Sequence, residues 1–202
     1  MNMRRPWLVA MFITSALLMA ACATPMGRTT VLGSWKADNY SNKLSSFLII
    51  SLSDEPGIRG KFESIMAGRL KKEGLRAVAS SSIMPADQEI NRETVMAVMA
   101  GKGIEGVLVS RLLGVDRQVV YVPPSADTTF ESTFTRDVPA IITPGFVAHS
   151  SVITLQVDLY DAASEHLVWS LKFQAVNPDN TTDVMNNLSD AVVEDLRIRG
   201  LI

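Results

Sequence analysis

Few side chains in this 202-residue chain have types that could do chemistry. Cys22 is its one thiol, and His149 and His166 are its two imidazoles. A single cysteine supports no disulfide and no cysteine-based zinc site. Either histidine could serve as a general base only with a partner that the sequence does not identify. Asp158 and Asp161 lie three apart, too sparse for the six to eight oxygens that calcium takes, and read as turn-forming, solvated acids. Asp54-Glu55 reads as helix capping. Gly101-Lys102-Gly103 lacks the glycine spacing of a phosphate loop and reads as a helix stop. Arg111 stands out, a cation inside the apolar run Gly106–Leu113. It faces a buried acid, lines a groove, or lies along an edge with its charged head in water.

Cys22 has a different kind of context. Arg4 and Arg5 open the chain, an apolar segment runs from Trp7 to Met19, and the small pair Ala20-Ala21 precedes the cysteine. A basic start, an apolar run and small residues before a cut describe an export signal. The run is shorter than the roughly 20 residues that span a bilayer. Leu18-Met19-Ala20-Ala21-Cys22 resembles a lipobox, the motif of bacterial lipoproteins, with Met19 where leucine is usual. The resemblance implies an acylated Cys22 as the membrane anchor. Ala23 in place of aspartate implies, by the same resemblance, sorting to the outer membrane with the domain on its periplasmic face.

Loss of residues 1–21, with Arg4 and Arg5, takes the formal charge from −2 to about −4 and leaves roughly 180 residues. That length suits one domain with a real core. The mild negative charge gives no electrostatic case for nucleic acid. No cofactor or metal is expected.

The elements that must position these residues follow from periodicity. Ser46–Leu52 is a continuous apolar run, expected as a strand covered on both faces. Ile58, Phe62, Ile65, Met66 and Leu70 recur at helical spacing, with Lys71, Lys72 and Gly74 as a stop. Leu75–Ser80 reads as a second strand. Asn91 can cap a helix whose buried side is Val95, Met96, Val98 and Met99. Gly106–Leu113 reads as a third strand, extending as far as Val122 past a bulge or bend at Gly114. Residues 123–151, with four prolines and Phe130, Phe134 and Phe146, read as an insertion that forms either a hairpin or a mobile loop. Alternation over Ile153–Leu159 and Leu167–Phe173 predicts an antiparallel hairpin. Val184, Leu188, Ala191, Val192 and Leu196 mark a final helix. The expected fold class is α/β, a single mixed sheet with helices packed on it, in the order β-α-β-α-β-insertion-β-β-α. Its divisions are 1–21 as signal, 22–44 as lipidated cysteine and tether, and 45–202 as one domain.

Ser34-Trp35-Lys36, Asp54-x4-Arg59-x2-Phe62-Glu63, Val107–Leu112 with Gly114-Val115, Leu159-Tyr160-Asp161 and Leu167–Ser170 carry a wider likeness. Over Trp35–Ile202 the chain resembles uncharacterised proteobacterial outer-membrane lipoproteins. Its element order is similar to the TolB N-terminal domain and to the LpoB and CsgG lipoproteins. The resemblance implies an accessory or assembly role through protein contacts, without catalysis. The insertion, with Phe130, Phe134 and Phe146, is the expected contact surface for an envelope protein. A groove for a small ligand or envelope polymer, lined by Arg111, Tyr121 and Trp35, is the alternative; an enzyme using His149 or His166 is a third reading.

Overall fold

The computed structural model describes residues 28–85, 87–122, 125–126, 142–143 and 146–202. Cys22, Phe130 and Phe134 lie outside them. Six strands form one mixed sheet in the order β1-β8-β7-β4-β2-β3. They are β1 (Arg28–Lys36), β2 (Ser46–Leu52), β3 (Arg76–Ala79), β4 (Gly106–Val122), β7 (Phe146–Asp161) and β8 (Leu167–Val176). Two short strands, β5 (Ser125–Ala126) and β6 (Ile142–Thr143), pair with each other. β2 runs parallel to β3 and β4, and the β4-β7-β8-β1 half is antiparallel. The helices are α1 (Pro56–Lys72), α2 (Arg92–Met99) and α3 (Thr181–Ile198). The α/β class and the mixed sheet are as the periodicity predicts.

α1 and α3 cover one face. Phe62, Met66 and Leu70 from α1 and Leu188, Val192 and Leu196 from α3 pack on Phe47, Ile49, Leu108, Leu159, Trp169, Leu171 and Phe173. Gly106 sits where the strands close tightly: a Cβ there would meet Leu44 at 3.0 Å and both Leu159 and Phe47 at 3.1 Å. α1 carries Pro56 in its first turn and ends before Gly74, whose φ of 80° suits glycine. Asp54 and Glu55 do not cap it as expected; Glu55 occupies the cap position without a side-chain bond.

Of the described helices, α2 alone lies over the other face. It begins on a reciprocal cap: the Thr94 amide donates to Asn91 Oδ1 and the Asn91 amide to Thr94 Oγ1, both at 3.0 Å. Its expected buried side is not buried. Val95, Val98 and Met99 pack over Leu48, Ile50 and Val107 but are only half-covered, and Met96 is exposed.

Two sequence boundaries move. The sheet starts at Arg28, inside the stretch 22–44 that reads as tether. Ser34 and Lys36 hold β1 in place: Ser34 Oγ donates to Asp195 at 2.9 Å and Lys36 Nζ to the Arg199 carbonyl at 3.0 Å. The insertion 123–151 is shorter than its prolines suggest, because Phe146–Ser151 pairs in register with Arg117–Val122. The bulge falls between Leu112 and Gly114, at the glycine expected to mark it.

Asp158 and Asp161 also depart from expectation, since both are buried. Asp161 closes the β7–β8 turn by accepting from the amides of Ala163 and Ser164 at 3.1 and 2.8 Å, and it also accepts from Tyr40 Oη at 2.7 Å. Burial pushes the Asp161 carboxyl up, but the bonds from Tyr40, Ser164 and Ala163 together outweigh it and hold the group below the usual range. Burial, reinforced by Asp161, pushes the Tyr40 hydroxyl well above the usual tyrosine range. The signs predict two limits. The Tyr40 contribution is complete below pH ~10 and falls away above it, and the Asp161 contribution is complete above pH ~4 and falls away below it. Tyr40→Phe should cost about 1.5 kcal/mol at pH 7. In urea titrations from pH 7 to 11.5, the gap between wild type and Tyr40→Phe should narrow above pH 10; a constant gap would refute the pairing.

Candidate contact and binding surfaces

Among the described residues, no further strand lies beside the β4–β7 pair beyond Asp116 and Val152. β2 reaches β4 only to Arg111, and β8 reaches β7 only to Val152. The six pairs from Arg117↔Ser151 to Val122↔Phe146 therefore project as a two-stranded ribbon. Alternation puts Val115, Arg117, Val119 and Tyr121 on one face, with Ser151, His149 and Val147 opposite the last three, so exposed apolar side chains are interleaved with polar ones. Val115, Val119, Tyr121 and Val147 are exposed, Val119 by 67% and Tyr121 by 65%. An isolated two-stranded ribbon is marginal in water, and grouped exposed apolar residues mark contact sites. Phe146 opens β7 at the far end of this ribbon. Tyr121 belongs here, on a protrusion.

Arg111 and Trp35 lie on the sheet face that α2 partly covers. Arg111 meets the buried acid foreseen as one of its readings: its Nη2 donates to Asp158, which is 1% exposed. Asp158 Oδ1 also accepts from Gln156 Nε2 at 2.8 Å and Ser170 Oγ at 2.6 Å. The register explains the cluster, since Ser170 lies opposite Asp158 and Gln156 opposite Arg111. Trp35 pairs with Ser170 at the sheet's edge and is 49% exposed. β7 and β8 thus separate it from Arg111.

The groove on this face runs under α2. A cavity of about 320 Å³ is lined by Ile50, Val95, Met96, Met99, Val107 and Val109, with Arg111, Arg92, Asp161 and Glu165 around it. A second cavity, about 370 Å³, adjoins it at Leu52 and Ile90 and reaches Ser53, Asp54, Arg59 and Ser81. It lies beyond the carboxyl end of β2, where α/β sheets commonly bind ligands. Of the expected lining set, Arg111 is in the groove and Trp35 and Tyr121 are not. Residue type makes one group of these side chains from β1 and β4, but strand order and register send them to different places.

Sequence reasoning missed the most buried charged cluster. Glu63 on α1 is fully buried, and Arg59, one helical turn earlier, is 6% exposed. Glu63 Oε1 accepts from the Ser51 amide at 2.9 Å, Arg59 Nε at 3.3 Å and Ser80 Oγ at 2.7 Å, while Oε2 accepts from the Ser81 amide at 2.6 Å. The i,i+4 spacing of Arg59 and Glu63 around Phe62 was its one local signal.

The histidines cannot act together. His149 pairs with Val119 on the ribbon, and the His166 carbonyl accepts from the Asp161 amide at the other end of β7. Among the described residues no cluster of three or more His, Cys, Asp or Glu side chains could hold a metal ion, and no helix is long and apolar enough to cross a membrane.

No family model matches the chain, and no curated protein matches it. Solved structures give fold-level likenesses. A PelC dodecamer from Paraburkholderia phytofirmans is 13% identical, covers 83% of this chain and 95% of its own, and has a TM-score of 0.45. The lipoprotein GNA1162 from Neisseria meningitidis is 12% identical, covers 76% of this chain and 98% of its own, and has a TM-score of 0.40.

Proposed function

We propose that the chain is a lipid-anchored accessory protein at the periplasmic face of the outer membrane, which works by contacting another envelope protein and carries out no catalysis. The ribbon carries this reading. It extends past the sheet, it exposes Val119, Tyr121 and Val147 among polar neighbours, and loss of that apolar area on docking is the driving force for association.

Geometry adds a direction. Arg28, where β1 begins, lies in one row with Val176, Val152 and Asp116, at the ribbon's base. If Cys22 carries the lipid, residues 23–27 span at most roughly 20 Å from anchor to sheet. The ribbon would then leave the domain at its membrane-near end, and its partner would be a protein at or in the bilayer.

Photo-crosslinking in cells from positions 119 and 121 tests this. A discrete crosslinked protein is expected from both positions and from neither Lys61 nor Glu194, which sit on the helical side. Val147→Lys should reduce its yield at least tenfold without unfolding the chain, because the side chain is exposed. Equal products from all four positions, or an unchanged yield in Val147→Lys, would refute the ribbon as the contact element. Cys22→Ser should release the protein from the membrane fraction.

A further inference from the structure

We propose that the groove between α2 and the β2–β4 floor binds a medium-chain carboxylic acid, with the chain along the apolar trough and the carboxylate on Arg111. This site is separate from the ribbon and does not depend on the ribbon's role.

Three observations carry it. First, α2 has an apolar side but no buried residue, whereas Ile50 and Val107 beneath it are buried. The helix leaves a cavity of about 320 Å³ against its floor. That lies at the small end of the ~300–1,000 Å³ range of small-molecule sites. The methionines on its wall, Met96 and Met99, adapt easily to an unbranched chain.

Second, the acids around the trough are already engaged. Both Glu165 carboxylate oxygens accept from Arg92 at 2.7 Å. Asp161 is held by Tyr40 and by its own turn.

Third, the cation is not fully engaged. Arg111 gives Nη2 to Asp158, and its Nε is the one buried side-chain polar atom without a partner among the described residues. Such orphan donors are rare in folded proteins. A small turn of this half-exposed side chain would offer Nε and an Nη to two oxygens at once, the fork that arginine presents to carboxylates. Asp158 would keep its bonds from Gln156 and Ser170.

The full chain, in its own membrane, can be labelled with decanoic acid carrying a diazirine and an alkyne, then mapped by mass spectrometry. Adducts are expected within 92–99 and 107–111, competed by plain decanoate. Decanol should compete at least tenfold less well. Hexanoate should compete on the order of a hundredfold less well, since each methylene contributes about fourfold. Arg111→Lys keeps a cation beside Asp158 but removes the Nε donor; it should abolish the preference for acid over alcohol and leave the labelled peptides unchanged. Met96→Trp, at the exposed flank of α2, should block labelling without disturbing the buried floor. Adducts that decanoate does not compete, adducts only outside the groove, equal competition by decanol, or an acid preference that survives Arg111→Lys would each overturn the proposal.

Discussion

Glu63→Ala should lower the unfolding free energy by about 3–5 kcal/mol, read as a fall in the urea midpoint at pH 7 with little change in slope. The size follows from what remains after the carboxylate is gone. Arg59 stays in place, 6% exposed, with a hydrogen bond to Ser80 at 3.0 Å but no counter-charge. The amides of Ser51 and Ser81 also lose their acceptor. A loss of this size is a large fraction of the ~5–15 kcal/mol that holds a domain together. Glu63→Gln separates the charge from the shape. A carboxamide fits the space but turns an NH₂ toward at least one of four donors, so a loss of about 1–3 kcal/mol is expected. Removing both charges in Arg59→Met with Glu63→Gln should cost less than the two single losses added together, because no unpaired cation remains. If Glu63→Ala shifted stability by less than 1 kcal/mol, the cluster would not be the clamp that joins α1 to the ends of β2 and β3.

The pieces of this fold that could be read from the sequence are those whose signal is local. Ile58–Leu70 repeats at helical spacing over a whole helix, and Ile153–Phe173 alternates across a hairpin. Gly114 marks its bulge because nothing else in β4 interrupts the strand. β1 was illegible for the opposite reason. Arg28–Lys36 is rich in polar and small residues, and what holds Ser34 and Lys36 lies on α3 and at the cap that ends it, more than 160 residues away. The ribbon was obscured by the prolines in its stretch of sequence, yet Arg117–Val122 and Phe146–Ser151 pair, and Ser125–Ala126 and Ile142–Thr143 pair beyond them. Asp158 read as solvated because an acid in a strand usually is. Only the register, which sets Ser170 opposite it and Arg111 on the same face, gives the carboxylate enough donors to be buried. The candidate site fared worse than the fold because sites depend on which strands are neighbours. Residue type favoured Trp35, Arg111 and Tyr121 as one group; strand order and alternation place them on an edge, beside a groove and on a ribbon.

Trp169→Ala should destabilise the chain by about 3–5 kcal/mol, the range for a large aromatic side chain removed from a core. Trp169 is fully buried between the sheet and α3. The loss has a second part, because its indole Nε1 donates to Asp195 Oδ2 at 2.7 Å. Asp195 also accepts from Ser34 Oγ at 2.9 Å and Arg199 Nε at 2.8 Å, so one carboxylate joins β8, β1 and the end of α3. Trp169→Phe tests that part alone. It keeps most of the packing and removes one bond to a charged acceptor, for an expected cost of about 1.5–3 kcal/mol. Asp195→Ala should act on the strand instead: Ser34 Oγ loses its acceptor, Arg199 keeps only its bonds to Ser34, and the indole N–H is left buried without a partner. Amide exchange should then accelerate most in β1, beyond any rise in β7, which keeps neighbours on both sides. This carries to function because β1 is the segment that leads back toward Cys22. A chain with β1 released would gain nine residues of slack between its expected anchor and the domain. The ribbon's crosslinks to a membrane-near partner should weaken in Asp195→Ala while its Val119 and Tyr121 side chains stay intact. Equal exchange in β1 and β7, with crosslinks unchanged, would show that the edge strand is held by its backbone ladder alone.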